Sequence, residues 1–183
     1  MIIAAHSLRT LIRPLVPDDR DSVYVAVRES IDTVGRWMSW CHPDYSMREV
    51  DQWIATCERN WNVDGADREF GIFDEEGGEV LGGVGINQIN CVNSFANLGY
   101  WVRASRTGSG IASTAARLAA QFAFRELKLS RVEIVARVDN IASRRVAEKI
   151  GARFECIARH RLLYKGRPYD AALYSLLPGE IIG

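Results

Sequence analysis

Residues 98–125 read LGYWVRASRTGSGIASTAARLAAQFAFR, and the order of features along them decides the fold. Leu98, Tyr100, Trp101 and Val102 form an apolar, aromatic run of the kind that makes a strand. The chain then turns through Arg103-Ala104-Ser105-Arg106 into Thr107-Gly108-Ser109-Gly110 and continues as an alanine-rich helix pattern. Strand, glycine turn and helix N-terminus in that order make an anion site. The first N–H groups of a helix have no partner inside it, and the aligned peptide dipoles favour negative charge there. Glycine at 108 and 110 removes the Cβ atoms that would hold a phosphate away from those donors. No lysine follows, so the stretch is not a P-loop, and without a third glycine it is not the dinucleotide fingerprint. A strand-loop-helix connection with no ligand is the plainer alternative.

Working outward, Leu8 to Leu15 alternates as a first strand, and Asp18 and Asp19 after Pro17 are expected to cap a helix through about Arg28. Ile31 to Tyr45 reads as a loop carrying Trp37-Met38-Ser39-Trp40 and His42-Pro43. Ser46-Met47-Arg48-Glu49 is a capping box, behind which Val50, Trp53, Ile54, Cys57 and Trp61 share one helical face until Asp64-Gly65 ends it. Phe70–Phe73 and Val80–Ile86 flank Asp74-Glu75-Glu76-Gly77-Gly78 as a hairpin. No helix follows Gly82, Gly83 and Gly85, so close packing or a bulge accounts for them better than a nucleotide. After the opening strand, Ala96 to Val102, come a helix from about Ile111 to Leu127 and a strand at Arg131–Val138. A short helix at Ile141–Ile150 is closed by Gly151, and a last hairpin pairs Phe154–Leu163 with Tyr169–Leu176.

GYWVRASRTGSGIAS resembles the acetyl-CoA pyrophosphate loop of the GNAT (GCN5-related) N-acetyltransferases, with the pattern Gln/Arg-x-x-Gly-x-Gly/Ala. Thr107 stands where Gln or Arg is usual, and Arg106 sits one residue early. A second stretch, Asn140-Ile141-Ala142-Ser143 through Glu148-Lys149-Ile150-Gly151, is similar to the Asn-x-x-Ser…Glu-Lys-x-Gly signature after the fifth strand of that family. The order of elements is also the family's. The N-terminal third, Arg9 to Pro14 with Asp18-Asp19 and then Trp37–Trp40, resembles the RimJ/RimL-type branch, a bacterial-type group that includes acetyltransferases of ribosomal protein N-termini. The resemblance implies one α/β (α+β) GNAT domain over residues 1–183. Its sheet would be mixed and mostly antiparallel, with about seven strands, splayed fourth and fifth strands and about four flanking helices. It implies acetyl-CoA as cosubstrate, held by Trp101, Val102, Arg103, Thr107, Gly108, Ser109, Gly110, Ile111, Ala112, Asn140 and Ser143. Ser143 and Glu133 are the catalytic candidates, and Trp37, Trp40, His42, Asn97 and Tyr100 the acceptor-binding ones. Each has a plainer reading: Asn140 as a helix cap, Ser143 in its third position, and the tryptophans as core packing.

Composition bounds the rest. The chain has 183 residues, enough for one well-buried domain, and its 48% hydrophobic and 25% charged shares are those of an ordinary globular protein. No apolar run suits a membrane span or signal peptide. Cys41, Cys57, Cys91 and Cys156 are scattered singly and read as reduced cytosolic thiols, neither disulfides nor metal ligands. Residues 1–90 hold 8 Lys/Arg against 16 Asp/Glu, and residues 91–183 hold 15 against 7. The basic half suits a phosphate-rich carrier and leaves the acidic half to attract an amine. Scattered basic residues do not make a nucleic-acid surface. An α-amine, with a pKa of ~7.7–8.0, is roughly a tenth neutral at pH 7, whereas a lysine amine (~10.4) is almost wholly charged. The expected activity is therefore direct acetyl transfer to a primary amine, with a protein or peptide N-terminus ahead of a small molecule. Asn97 occupies the place where relatives often carry a basic glutamate, so no residue stands out as the general base. A non-catalytic acyl-CoA-binding module is the alternative, and a homodimer is left open.

Overall fold

The computed structural model describes residues 2–5, 10–74 and 78–182. Its strands are β1 (Ile3–Ala5), β2 (Thr10–Arg13), β3 (Arg68–Asp74), β4 (Val80–Asn90), β5 (Phe95–Val102), β6 (Arg131–Arg137), β7 (Arg153–Tyr164) and β8 (Arg167–Leu176). The helices are α1 (Arg20–Arg28), α2 (Met47–Trp61), α3 (Ile111–Arg125) and α4 (Ile141–Lys149). The described strands form one sheet in the order β1-β2-β3-β4-β5-β6-β8-β7. Every neighbouring pair is antiparallel except β5 with β6. This is the expected mixed sheet with a short extra strand, β1, added at its edge. The splayed pair is accordingly β5 and β6. Leu8 and Arg9 of the expected first strand, and Glu75 to Gly77 of the hairpin turn, lie outside the described residues.

The sheet separates two packed faces. On one, α3 lays Ala115, Ala116, Ala119, Ala120 and Ala123 against Ile86, Leu98, Val132 and Ile134, each of these alanines fully buried. Five methyl-sized side chains let the helix axis approach closely, which is why this helix needs alanine where most core helices carry leucine. On the other face, α1 and α2 bury Val23, Ala26, Val27, Val50 and Ile54 with Leu15, Phe73 and Val80. The capping box forms as the sequence indicates, with the Ser46 N–H donating to Glu49 Oε2 at 2.9 Å. Asp19 takes a different part from the expected helix cap. Its carboxylate accepts the Val16 N–H at 2.8 Å and both Arg13 guanidinium nitrogens, so it closes the 3-10 turn before α1. Trp53 departs from the buried stripe of α2 and is 41% exposed.

Ala119→Leu should overpack the α3–sheet contact and lower unfolding free energy by ~1–3 kcal/mol. Denaturant titration followed by circular dichroism measures it.

Candidate active site

β5 and β6 pair through only three residue pairs, Phe95↔Arg131, Ala96↔Val132 and Asn97↔Glu133. Beyond them β5 stays with β4 and β6 with β8, so a gap opens between the two strands. The antiparallel ladder of β4 and β5 ends with the Arg103 N–H donating to the Leu81 oxygen at 2.9 Å. Alternation along that ladder turns the N–H groups of Tyr100 and Val102 away from β4 and into the gap. The Tyr100 side chain ties β5 to the first turn of α4. Its hydroxyl donates to the Ser143 oxygen at 2.8 Å and accepts from Ser143 Oγ at 3.2 Å. Burial raises the Tyr100 pKa strongly, so the phenol keeps its proton. Asn140 caps α4, its side chain accepting the Ser143 N–H at 3.1 Å.

The glycine turn lies at one end of this gap. Gly108 and Gly110 have φ of 80° and 82°, a left-handed conformation that glycine adopts without strain. A Cβ at Gly108 would meet nothing within 4 Å. Among the described residues, no hydrogen bond takes the N–H of Gly108, Ser109 or Gly110. Thr107 Oγ1 donates to the Ala104 oxygen at 3.1 Å, and the Ile111 side chain packs into the core, so the turn offers main chain to a ligand. Arg103 sits elsewhere than the resemblance implies. Its guanidinium is buried, donating to Glu29 Oε2 and Glu79 Oε1 at 2.5 Å each, while Arg106 reaches Glu79 Oε2 at 3.1 Å. Glu29 also accepts the N–H and hydroxyl of Ser105. The Arg103 guanidinium holds the Glu29 carboxyl down to about 2. Arg103 therefore clamps the root of the turn to the end of α1.

On the α1/α2 side of the sheet a cleft of about 530 Å³ opens next to β5. Its floor is a row of glycines on β4 and β5, and Glu69 of β3 reaches over it. Register places Glu69 opposite Gly85, and Gly85 opposite Gly99. A Cβ at Gly85 would lie 1.9 Å from Glu69 Oε2, so only glycine lets this carboxyl lie across β4 toward Gly99. Asn97 Nδ2 donates to Asn87 Oδ1 at 2.8 Å, and Asn87 Nδ2 leans on Glu69 Oε1 at 3.4 Å. Burial pushes the Glu69 carboxyl up to about 7. Trp101 closes one wall, its ring edge-on to Trp40 with centroids 5.5 Å apart.

The proposed acceptor residues divide. Trp40 and Tyr100 line the cleft, and Asn97 joins its floor through Asn87. His42 stands beside it, with Nε2 3.0 Å from Glu49 Oε1. Trp37 lines a separate hollow with Asp139 and Asn140, where the Arg137 guanidinium lies 5.0 Å from its ring. Glu133 accepts from Arg131 Nε at 2.9 Å at the closed end of the gap, where β5 and β6 still pair. Sequence reading began this strand at Phe70 and so passed over Glu69. The available signal was a charged residue alternating with Phe70 and Ile72, facing a glycine-rich partner strand.

Known proteins share this fold. The family model described as Acetyltransferase (GNAT) domain matches residues 9–153. YdaF of Bacillus subtilis (strain 168), whose name carries a provisional assignment as a ribosomal N-acetyltransferase, is 33% identical over 172 residues. That match spans 92% of this chain and 91% of YdaF. The ribosomal-protein-serine acetyltransferase of Escherichia coli (strain K12) is 37% identical over 82 residues, 45% of each chain. Among solved structures, RimL, a ribosomal L7/L12 alpha-N-protein acetyltransferase in complex with coenzyme A, superposes with a TM-score of 0.86. It is 22% identical, and the match covers 97% of this chain and 98% of RimL, a likeness of fold.

Arg103→Ala should destabilise the chain by ~1–3 kcal/mol at pH 7, because Glu29 loses its guanidinium partner and Glu79 one of its two. The depressed Glu29 pKa contributes stability above the ordinary carboxylate value of ~4.3 that is lost as pH falls toward about 2. The gap between wild type and variant should therefore narrow across that window, as urea titrations at stepped pH would show.

Proposed function

The chain belongs to the GNAT acetyltransferase family, and from that premise we propose that it moves acetyl from acetyl-CoA to a primary amine held beside Glu69. The observation that carries this reading is a buried carboxyl, Glu69, pushed up to about 7 by its burial, in a cleft adjoining the gap between β5 and β6. The residues present fit the cosubstrate. Bare N–H groups at Gly108–Gly110 suit a diphosphate, and the gap between diverging strands suits its thiol arm. The matched fold of RimL, solved with coenzyme A, supports the same placement.

Bound acetyl-CoA supplies a thioester whose C–S bond is exchanged for the C–N bond of an amide, with free thiol as the second product. Glu69 in its ionised form accepts the proton of the incoming ammonium, the role for which a carboxyl tuned to about 7 is suited. The Asn97–Asn87 chain and the missing Cβ of Gly85 hold that carboxyl over the floor. The Tyr100 and Val102 N–H groups face the gap as donors for a carbonyl oxygen that gains charge. Ser143 Oγ and the Tyr100 hydroxyl hold protons at the α4 end of the gap, where a departing thiolate would take one. Its pKa of ~8.5 makes that help modest. Two ionisable carboxylates line the cleft, Glu69 and Glu49, which suits a cationic amine.

We favour a protein or peptide N-terminus as acceptor, in line with the names of the relatives, ahead of a small-molecule amine. The four cysteines are free, which suits a reducing compartment, and we place the enzyme in the cytoplasm. Among the described residues no helix is long and apolar enough to cross a membrane, and no cluster of His, Cys, Asp or Glu is set to hold a metal.

Glu69→Gln should lower kcat by ~10²–10⁴-fold with acetyl-CoA affinity held within a few-fold. The ratio of wild-type to variant rate should rise with pH through about 7, since only the ionised carboxyl acts. Thiol release followed across pH 5.5–9 reads both, and an unchanged rate would remove Glu69 from the chemistry. Ser109→Glu, at an exposed site, should weaken acetyl-CoA binding at least tenfold by calorimetry, with stability altered by no more than ~0.5 kcal/mol.

A further inference from the structure

Resting on the transfer reading above, we infer that the acceptor amine bears a bulky apolar or aromatic group near its nitrogen and no anion within the cleft. The inference comes from what lines the space around Glu69 and what is missing there. Glu49 and Glu69 are its ionisable carboxylates, and no lysine, arginine or histidine appears among the described lining residues. The cationic side chains around it are already engaged: His42 lies 3.0 Å from Glu49 Oε1, and the Arg103 guanidinium, held by Glu29 and Glu79, donates to the Val80 oxygen at 3.3 Å. The Arg68 guanidinium donates to the Asn60, Val63 and Ala66 oxygens, Arg13 pairs with Asp19, and Arg28 donates to the Pro43 oxygen. An ammonium entering this site meets carboxylate; a carboxylate attached beside it would be desolvated with no counter-charge and next to Glu69.

The walls say what the rest of the acceptor is made of. Leu15, Val27, Met38, Trp40, Trp53 and Trp101 surround the glycine floor, and the lining is mostly carbon. Trp40 and Trp53 keep 39% and 41% of their surface exposed, an apolar area that an occupant would cover. The cleft continues along β4 from Gly85, beneath Glu69, to Val80. Five residues at ~3.3 Å each make that ~16 Å, enough for the nitrogen at one end and a ring-sized group along the wall. The floor helps, because Gly83 has no Cβ: one there would lie 2.5 Å from the Trp101 Nε1 atom. Glycine lets the indole settle against the strand at this point.

Two sources supply this chemistry: an arylalkylamine, and a peptide whose first residue has a large apolar side chain and whose amide bond replaces the carboxylate. Thiol release with saturating acetyl-CoA should be compared for 2-phenylethylamine, a phenylalanyl tripeptide amide, a seryl tripeptide amide and free phenylalanine. The first two should show kcat/KM at least tenfold above the seryl peptide and about a hundredfold above free phenylalanine, whose carboxylate the cleft cannot pair. Whichever of the first two is faster identifies the source. Free phenylalanine or the seryl peptide matching the apolar acceptors would overturn the inference while leaving acetyl transfer intact. Thiol release with none of the four would overturn the transfer reading, and this inference with it. Met38→Arg gives a second reading by placing a cation in the apolar wall. In a variant shown folded by circular dichroism, the rate with free phenylalanine relative to 2-phenylethylamine should rise at least fivefold. An unchanged ratio would overturn the counter-charge argument.

Discussion

Three residue pairs join β5 to β6, and everything in the site depends on the pairing stopping there. A parallel pair carried to full length would use the outward N–H and C=O groups of Tyr100 and Val102 in a ladder. Because β6 continues with β8 instead, those groups face open space in the middle of the sheet. The gap is not left to collapse. Tyr100 is bonded twice to Ser143 at the start of α4, which ties β5 to the helix that follows β6.

Charge is divided between structure and chemistry in a way that net composition hides. The basic residues nearest the glycine turn are spent on holding it: Arg103 and Arg106 pair with Glu29 and Glu79, which belong to the acidic half of the chain. The segregation of charge along the sequence is therefore partly cancelled in space, and the turn presents neutral N–H groups. On the other side of the sheet the opposite economy holds. Among the described residues Glu69 pairs with no cation, only with Asn87, and it loses water to the surrounding tryptophans and glycine floor. A carboxyl raised to about 7 follows from that isolation, whereas Glu29, of the same residue type, is held near 2 by its guanidinium partner.

The glycines of β4 connect these features. Each meets a different neighbour: Gly82 the Trp101 carbonyl, Gly83 the Trp101 indole, Gly85 the Glu69 carboxyl. Their reading as sites of close approach holds in the structure, and what approaches them is Trp101 and Glu69, which line the cleft.

Much of this was written locally. The alternation of β5 and β6, the alanine face of α3, the Ser46–Glu49 box, the Asn140 cap and the glycine turn all depend on residues within one helical turn or one strand of each other, so spacing alone determined them. What tertiary structure decided is which distant groups meet. Trp37 and Trp40 are three residues apart, yet one stacks under Arg137 and the other against Trp101. Arg103 looked available to phosphate until Glu29, 74 residues away, took it. Glu69 loses its water because a later strand puts Gly85 beneath it, and because Trp40 and Trp53 from earlier in the chain and Trp101 from β5 line the same cleft. Periodicity assigns a side chain to a face; how much water it loses and which partner it gains depend on elements the local sequence does not contain.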